Sequence, residues 1–210
     1  MPSETRQQLL DAAEELFAQQ GYQATSLRQI TGRAGANLAA VNYHFGSKEA
    51  LIEAVLLRRL MDLNQTRSMR ITAVLDSARK LGRPPAAREV LRAFIEPTIE
   101  FGCADAGSRH VLTLIGRSFV EPDSLVRKVF MRLISPLFLQ MLAALQACLP
   151  SLPAEVLHRR LHFALGATSH TLHMLGKPGP AGTTEPMDDA PQTIGRLLVD
   201  FLCAGMEAPA

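Results

Sequence analysis

Asn42, Tyr43 and His44 stand side by side, two residues before a Gly46-Ser47-Lys48 run. Amide, phenol, imidazole and ammonium are all groups that hydrogen-bond to phosphate oxygens or to base edges. Consecutive helical residues point in different directions, so no helix can hide the whole triplet. Apolar positions decide which way it faces. On a helix that starts near Leu38 and stops at Gly46, Leu38, Val41 and Phe45 fall within about 60° of one another and mark the packed face. Ala39, Ala40, Tyr43 and His44 then point away from it, with Asn42 on the flank. The outward face is small, small, aromatic and imidazole, without an acid, where an unpartnered surface helix more usually carries Glu and Lys.

The major groove of DNA accounts for that composition. Two alanines let a helix lie deep and touch thymine methyls, Asn42 can pair with adenine, and Tyr43 and His44 can reach phosphates. Lys48 and the amides after Ser47 add a second phosphate contact, because a helix N-terminus attracts anions. Thr25, Ser26 and Arg28 do the same at the start of the preceding helix, and Asn37 completes the candidate set. The bland alternatives are that Tyr43 and His44 brace the next helix and that Ala39 and Ala40 are spacers. Charge distribution favours a polyanion: between Leu16 and Lys48 there is no Asp or Glu, while Arg28, Arg33 and Lys48 make the window +3. The whole-chain formal charge of +2 would not have shown this.

Short helices must hold these groups. Residues 4 to 19 carry Leu9, Ala13, Leu16 and Phe17 on one face, with Gly21 where a C-terminal cap belongs. Thr25 or Ser26 caps a second helix, Gln29 completing a capping box with Ser26, and Gly35 ends it. Helices two and three, joined by a tight turn at Gly35, describe a helix-turn-helix. Ser47 caps a long fourth helix that reaches about Lys80. Helical patterns recur over 87–103, with Pro97 expected to kink it, and over 108–119, 124–149, 154–175 and 192–206. The four prolines and three glycines of 176–191 read as a loop. The expectation is an all-α protein of about nine helices. Residues 1–47 form a helix-turn-helix DNA-binding domain and 48–210 a helical bundle for ligand binding and dimerisation.

"LLDAAEELFAQQGYQATS" together with "TSLRQITGRAGANLAAVNYHFGSKEALI" resembles the DNA-binding domain of the TetR family of bacterial repressors over about residues 5 to 55, above all in the spacing of Gly35, Tyr43, Phe45 and Lys48. The resemblance implies a homodimer on double-stranded operator DNA that leaves it when a small ligand enters the C-terminal domain. "NLAAVNYHFGSK" is especially similar to the PsrA/CerR-type branch, some of whose members respond to fatty acyl compounds; "RRLHFALGATSHTL" and "FLCAGMEA" resemble that branch's last two helices.

The middle of the chain supplies large apolar side chains, among them Phe94, Ile95, Leu112, Ile115, Phe119, Phe130, Ile134 and Phe138, which suit an elongated greasy pocket as well as a core. Its ligand is expected to be mainly apolar, a fatty acyl compound or an aromatic acid, with Arg117, Arg132 or His110 able to meet an anionic head. The fourth helix, running from the DNA clamp toward this segment, is the expected mechanical link. Leu161, Leu165, Thr168, Leu172 and Leu175 follow steps of four and three, and the last helix adds Leu198 and Phe201; these stripes read as a dimer interface.

Other chemistries find little support. His158 and His162 are spaced like ligands on one helical face, with His170 and His173 after them, but no acid or cysteine completes a metal site. No nucleophile-base pair, phosphate loop or cofactor motif suggests an enzyme, whether built on the histidines or on Cys103. Cys103, Cys148 and Cys203 are far apart and read as reduced core residues. No secretory signal is evident, and the uncharged run from Leu133 to Ala154 is broken by prolines and reads as a buried helix with its loop, not a membrane span. A cytoplasmic location is expected. The remaining alternative is a DNA-binding protein without effector control.

Overall fold

The computed structural model describes residues 4–119, 124–174 and 190–209, and every regular element among them is a helix. In chain order these are α1 (Glu4–Gln20), α2 (Leu27–Arg33), α3 (Leu38–His44), α4 (Lys48–Lys80), α5 (Ala87–Ala104), α6 (Ala106–Ser118), α7 (Leu125–Cys148), α8 (Ala154–Met174) and α9 (Pro191–Glu207). Leu175 and all but the last two residues of the loop expected over 176–191 lie outside the described residues.

Local chemistry sets the helix ends. Gly35 and Gly46 follow α2 and α3 with φ of 62° and 79°, a region that costs any residue with a Cβ. The Ser26 hydroxyl accepts from the Gln29 N–H at 3.2 Å while Gln29 Oε1 accepts from the Ser26 N–H at 2.7 Å, a complete capping box. Asn37 caps α3 through the Ala40 N–H at 2.9 Å, and Ser47 caps α4 through that of Ala50 at 3.0 Å. Helix α5 continues through Pro97.

The chain folds as two compact units. The first takes the chain up to Met61 with Asp105–Leu133; the second takes Asp62–Ala104 with the chain from Ile134 onward. Helices α4 and α7 therefore contribute to both.

Within the first unit, Leu9, Leu10 and Phe17 of α1 pack in a core with Ile30, Val41, Leu51, Ile52 and Val111, all at most 1% exposed. Each such side chain stabilises the fold by about 1.5–3 kcal/mol relative to exposure. An ion cluster around the buried Glu14 ties three helices there. Glu14 of α1 accepts from Arg58 Nη2 at 2.5 Å and from Arg59 Nε and Nη2 at 2.9 and 2.8 Å. Arg59 also lies 3.5 Å from Asp105, whose carboxylate caps α6 through the Ser108 N–H at 2.9 Å. At the other end of α6, Arg117 Nη1 donates to the carbonyls of Ala18 and Gln19 at 3.2 and 3.4 Å, closing the last turn of α1.

The second unit packs α5 along α9, with Leu91, Ile95 and Ile99 buried on one and Ile194, Leu198 and Leu202 on the other. Helix α7 is long and apolar enough to cross a membrane by length and composition. It holds Pro136 and buries Val126, Val129, Ile134, Leu137, Met141 and Leu145, the stripe of a packed core helix.

Candidate nucleic-acid interface

Helix α3 is held by one deeply buried side chain, Val41, with Phe45 half-buried behind it. Leu38, expected on the same packed face, is 44% exposed; it is the first residue of the helix, beyond the reach of the α1–α2 core. On the other side, Ala39 and Asn42 are exposed, Ala40 and His44 are half-buried, and Tyr43 is 85% exposed. The rings of Tyr43 and His44 meet edge-on at 4.9 Å, and those of His44 and Phe45 at 6.2 Å, so the imidazole supports Tyr43 from the packed side. Thr5, Gly35, Ala36, Asn37, Ala39, Ala40, Tyr43 and His44 line one open hollow on this face.

Of the flanking candidates, Ser26 and Arg28 are exposed, the Ser26 hydroxyl being engaged in its capping box. Thr25 is a correction. It is 1% exposed, and its hydroxyl reaches the carbonyls of Gly21 at 2.8 Å and Leu16 at 3.2 Å, so the side chain braces the α1–α2 turn and does not face outward. Lys48 is also turned inward. Its ammonium donates to the Tyr22 carbonyl at 2.6 Å and lies 4.2 Å from the Tyr22 ring centroid. Burial lowers its pKa, with Glu49 opposing. Beneath it Tyr22 is 6% exposed, and its phenol is pushed up to about 12 by burial and then by Glu49, which accepts its hydrogen bond. An ammonium has three donors, so Lys48 can hold this turn and still offer N–H groups to a phosphate.

The acid-free window in the sequence is not acid-free in space. Arg33 is held by Glu15 through Nη2 at 2.7 and 2.8 Å and Nε at 3.2 Å, which offsets one of the three positive charges. Residues the sequence did not flag also belong here. Thr5 shares the hollow, and the Arg6 guanidinium lies 5.2 Å from the Phe45 ring centroid. No spacing rule links the first turn of α1 to α3; only the fold brings them together.

The eight apolar pocket candidates divide between the units. Leu112, Ile115, Phe119 and Phe130 belong to the first, where the rings of Phe119 and Phe130 meet edge-on at 6.0 Å and Phe119 is 44% exposed. Phe94, Ile95, Ile134 and Phe138 belong to the second, the first three buried. Arg117 and Arg132, expected as head-group partners, are engaged elsewhere: Arg117 by the α1 carbonyls, Arg132 by Glu53 at 2.5 Å. Phe138 faces the rings of His158 and His162, at 5.6 Å from each. Those two rings lie 4.6 Å apart, and His162 Nδ1 meets the His158 carbonyl at 2.9 Å. The side chain of His173 lies outside the described residues.

The dimer candidates need a second correction. Leu161 is fully buried and Leu198 is 7% exposed, so both belong to the core of their own unit; Leu165 and Leu172 are half-buried. The large apolar side chains left uncovered on α8 and α9 are Phe163 at 72%, Leu197 at 53% and Phe201 at 68% exposure.

Family models match most of the chain. That for bacterial regulatory proteins of the tetR family matches residues 9–55, and that for the tetracyclin repressor-like C-terminal domain matches residues 92–205. The transcriptional activator FasR of Mycolicibacterium smegmatis is 37% identical over 93 residues, 44% of this chain and 41% of that protein. The transcriptional repressor KstR2 of Rhodococcus jostii is 41% identical over 58 residues, 28% of each. The chain spans less than half the length of the curated relatives it matches. Among solved structures, the TetR family transcriptional regulator PfmR from Thermus thermophilus has the same fold, with a TM-score of 0.62 at 20% identity over 95% of this chain and 99% of that one.

Proposed function

The chain belongs to the tetR family of bacterial regulatory proteins, which are DNA-binding transcriptional regulators, and from that premise we propose that it is a dimeric repressor released from its operator by a small, mainly apolar ligand. The observation that carries the DNA-binding half is the outer face of α3, where Tyr43 is 85% exposed beside Asn42 and two alanines with no acid among them. Asn37, Ala39, Ala40, Asn42, Tyr43 and His44 meet the groove, with Ser26, Arg28 and Lys48 on flanking phosphates. Nothing in this arrangement calls for catalysis, and the protein works in the cytoplasm.

Two copies are joined through Phe163, Leu197 and Phe201. A pair of large phenyl rings and a leucine left bare on adjacent helices is costly in water and suits a self-complementary patch. The ligand occupies the second unit among Phe94, Ile95, Ile134 and Phe138. It acts by binding the released pose more tightly than the DNA-bound one, each tenfold preference shifting the equilibrium by about 1.4 kcal/mol. The motif "NLAAVNYHFGSK" supports the PsrA/CerR-type branch, and with it an acyl or aromatic acid as effector.

Selection of operator sequences from a random duplex pool tests the reading. A near-palindrome with half-sites about 34–36 Å apart is expected. Asn42→Ala should change base preference at one position by about 1–3 kcal/mol. Tyr43→Ala should weaken all sequences alike and reduce the salt slope by about 1. Both variants binding every sequence as the parent does would refute the assignment of α3. A reporter downstream of the selected operator gives the sign, with repression expected and relief on adding ligand.

A further inference from the structure

Helix α4 carries a cation where an apolar residue would be expected. Arg67 is 3% exposed, in the second unit, between the buried Leu63 and Ile71 of its own helix and the buried Phe94, Ile95 and Ile99 of α5. Its guanidinium carbon lies 4.4 Å from the Phe94 ring centroid. Nε and Nη2 donate to the Thr98 hydroxyl at 3.1 and 2.6 Å, and Nη1 donates to Asn64 Oδ1 at 2.8 Å. Every one of these partners is neutral. Arg70, Arg79, Arg83, Arg88 and Arg92 of the same unit each meet a carboxylate, whereas among the described residues none pairs with Arg67.

Donor geometry sharpens the point. The Thr98 hydroxyl donates its own proton to the Phe94 carbonyl at 2.7 Å, so its lone pairs are what receive Nε and Nη2. A guanidinium has five N–H donors, and three are accounted for, which leaves one on each terminal nitrogen. Those nitrogens form the planar fork that matches a carboxylate through two parallel bonds. Burial pushes the Arg67 pKa down to about 9, which still leaves it protonated at neutral pH. A buried cation without a counter-charge costs several kcal/mol of desolvation, and an anion brought in from outside recovers much of that.

We propose that Arg67 is the anion anchor of the effector site, taking the single carboxylate of an otherwise apolar acid whose body lies along Phe94 and its α5 neighbours. This rests on the reading of the protein as a ligand-released regulator and narrows the ligand to amphipathic monocarboxylic acids. A dianion or a polyol would leave polar groups unmatched against the apolar wall.

Calorimetry on the full-length protein, with operator release followed in parallel, separates the possibilities using decanoate, 2-naphthoate, decan-1-ol and citrate. The parent should bind both apolar acids and should not bind citrate. Arg67→Met should weaken both acids by about 100-fold and leave decan-1-ol within about threefold. Arg67→Lys keeps the charge and loses the fork, so about tenfold weakening is expected, and this variant decides the matter if Arg67→Met fails to fold. If either folded variant binds the acids as the parent does, the anchor is wrong while the apolar effector survives. If the parent binds neither acid nor alcohol and citrate alone releases the operator, the effector reading itself falls, and the anchor with it.

Discussion

Replacing Gly107 with alanine would drive a methyl group into the ion cluster that joins α1, α4 and α6. A Cβ at this position would stand 2.1 Å from Arg59 Nη2, 2.2 Å from Glu14 Oε1 and 2.7 Å from Arg59 Cζ. No atom pair tolerates such an approach, so the Arg59–Glu14 fork must open. Glu14 is not free to swing aside at low cost, because it is 4% exposed and also holds Arg58, so Arg59 is the group that must give way. Charge-assisted hydrogen bonds contribute about 1.5–3 kcal/mol each, and the fork has two. The Arg58 bond survives, and alanine gains up to about 1 kcal/mol over glycine in a helix. The net loss should be about 2–5 kcal/mol, or about 4–20 °C in Tm for a chain of this size. Differential scanning calorimetry of the parent, Gly107→Ala, Glu14→Ala and the double variant provides the test. With the Glu14 carboxylate gone, Arg59 can move away, so the second substitution should cost much less than it does alone. A Gly107→Ala protein melting within a degree of the parent, or strictly additive losses, would refute the packing argument.

Two further outcomes follow from the same structure. Phe201→Glu should give a folded monomer, because a carboxylate on the bare apolar patch would be buried unpaired between copies; Leu161→Ala should instead lower Tm by several degrees and leave the oligomeric state intact, and sedimentation velocity beside melting curves would expose the reverse pattern. The Asp105 carboxylate is held below its ordinary range first by the Ser108 N–H and hydroxyl, with Arg59 a lesser cause. Its folded pKa is thus depressed, so its contribution is full above the unfolded value and is lost as pH falls below it. Asp105→Ala should be less stable by about 1 kcal/mol at pH 7, and the gap should narrow below about pH 3.8; a gap constant down to pH 2.5 would contradict this.

The helix-turn-helix was legible because its signals are local. Ser26 with Gln29, Gly35, Gly46 and Ser47 each impose a backbone conformation on their neighbours, and a reader of the sequence needs no tertiary information to use them. Orientation was legible where apolar residues mark a single packed face, as Val41 and Phe45 do on α3. It failed where two faces are chemically alike. On α8 and α9, periodicity groups Leu161 with Leu165 and Leu198 with its neighbours, but it does not say which stripe meets the core of the same chain and which is left bare. Thr25 and Arg33 misled for a related reason: a hydroxyl and a guanidinium read as outward groups until the fold supplies the Leu16 and Gly21 carbonyls and the Glu15 carboxylate that engage them. Arg67 was invisible among the several arginines of α4, since only packing against α5 singles it out.

The Thr98 hydroxyl has one proton and two lone pairs, with the proton on the Phe94 carbonyl and the lone pairs under Arg67. That makes positions 67 and 98 a linked pair in descent. Valine has the shape of threonine and would fill the same space, but while Arg67 is present it would strip two buried N–H groups of their acceptor. Once Arg67 is lost, the hydroxyl has only a helical carbonyl to serve, and valine becomes acceptable. Lineages of this protein should therefore change the two positions together, arginine with threonine or serine and an apolar residue with valine or alanine, and a mixed pair of Arg67 with valine at 98 should be rare and short-lived.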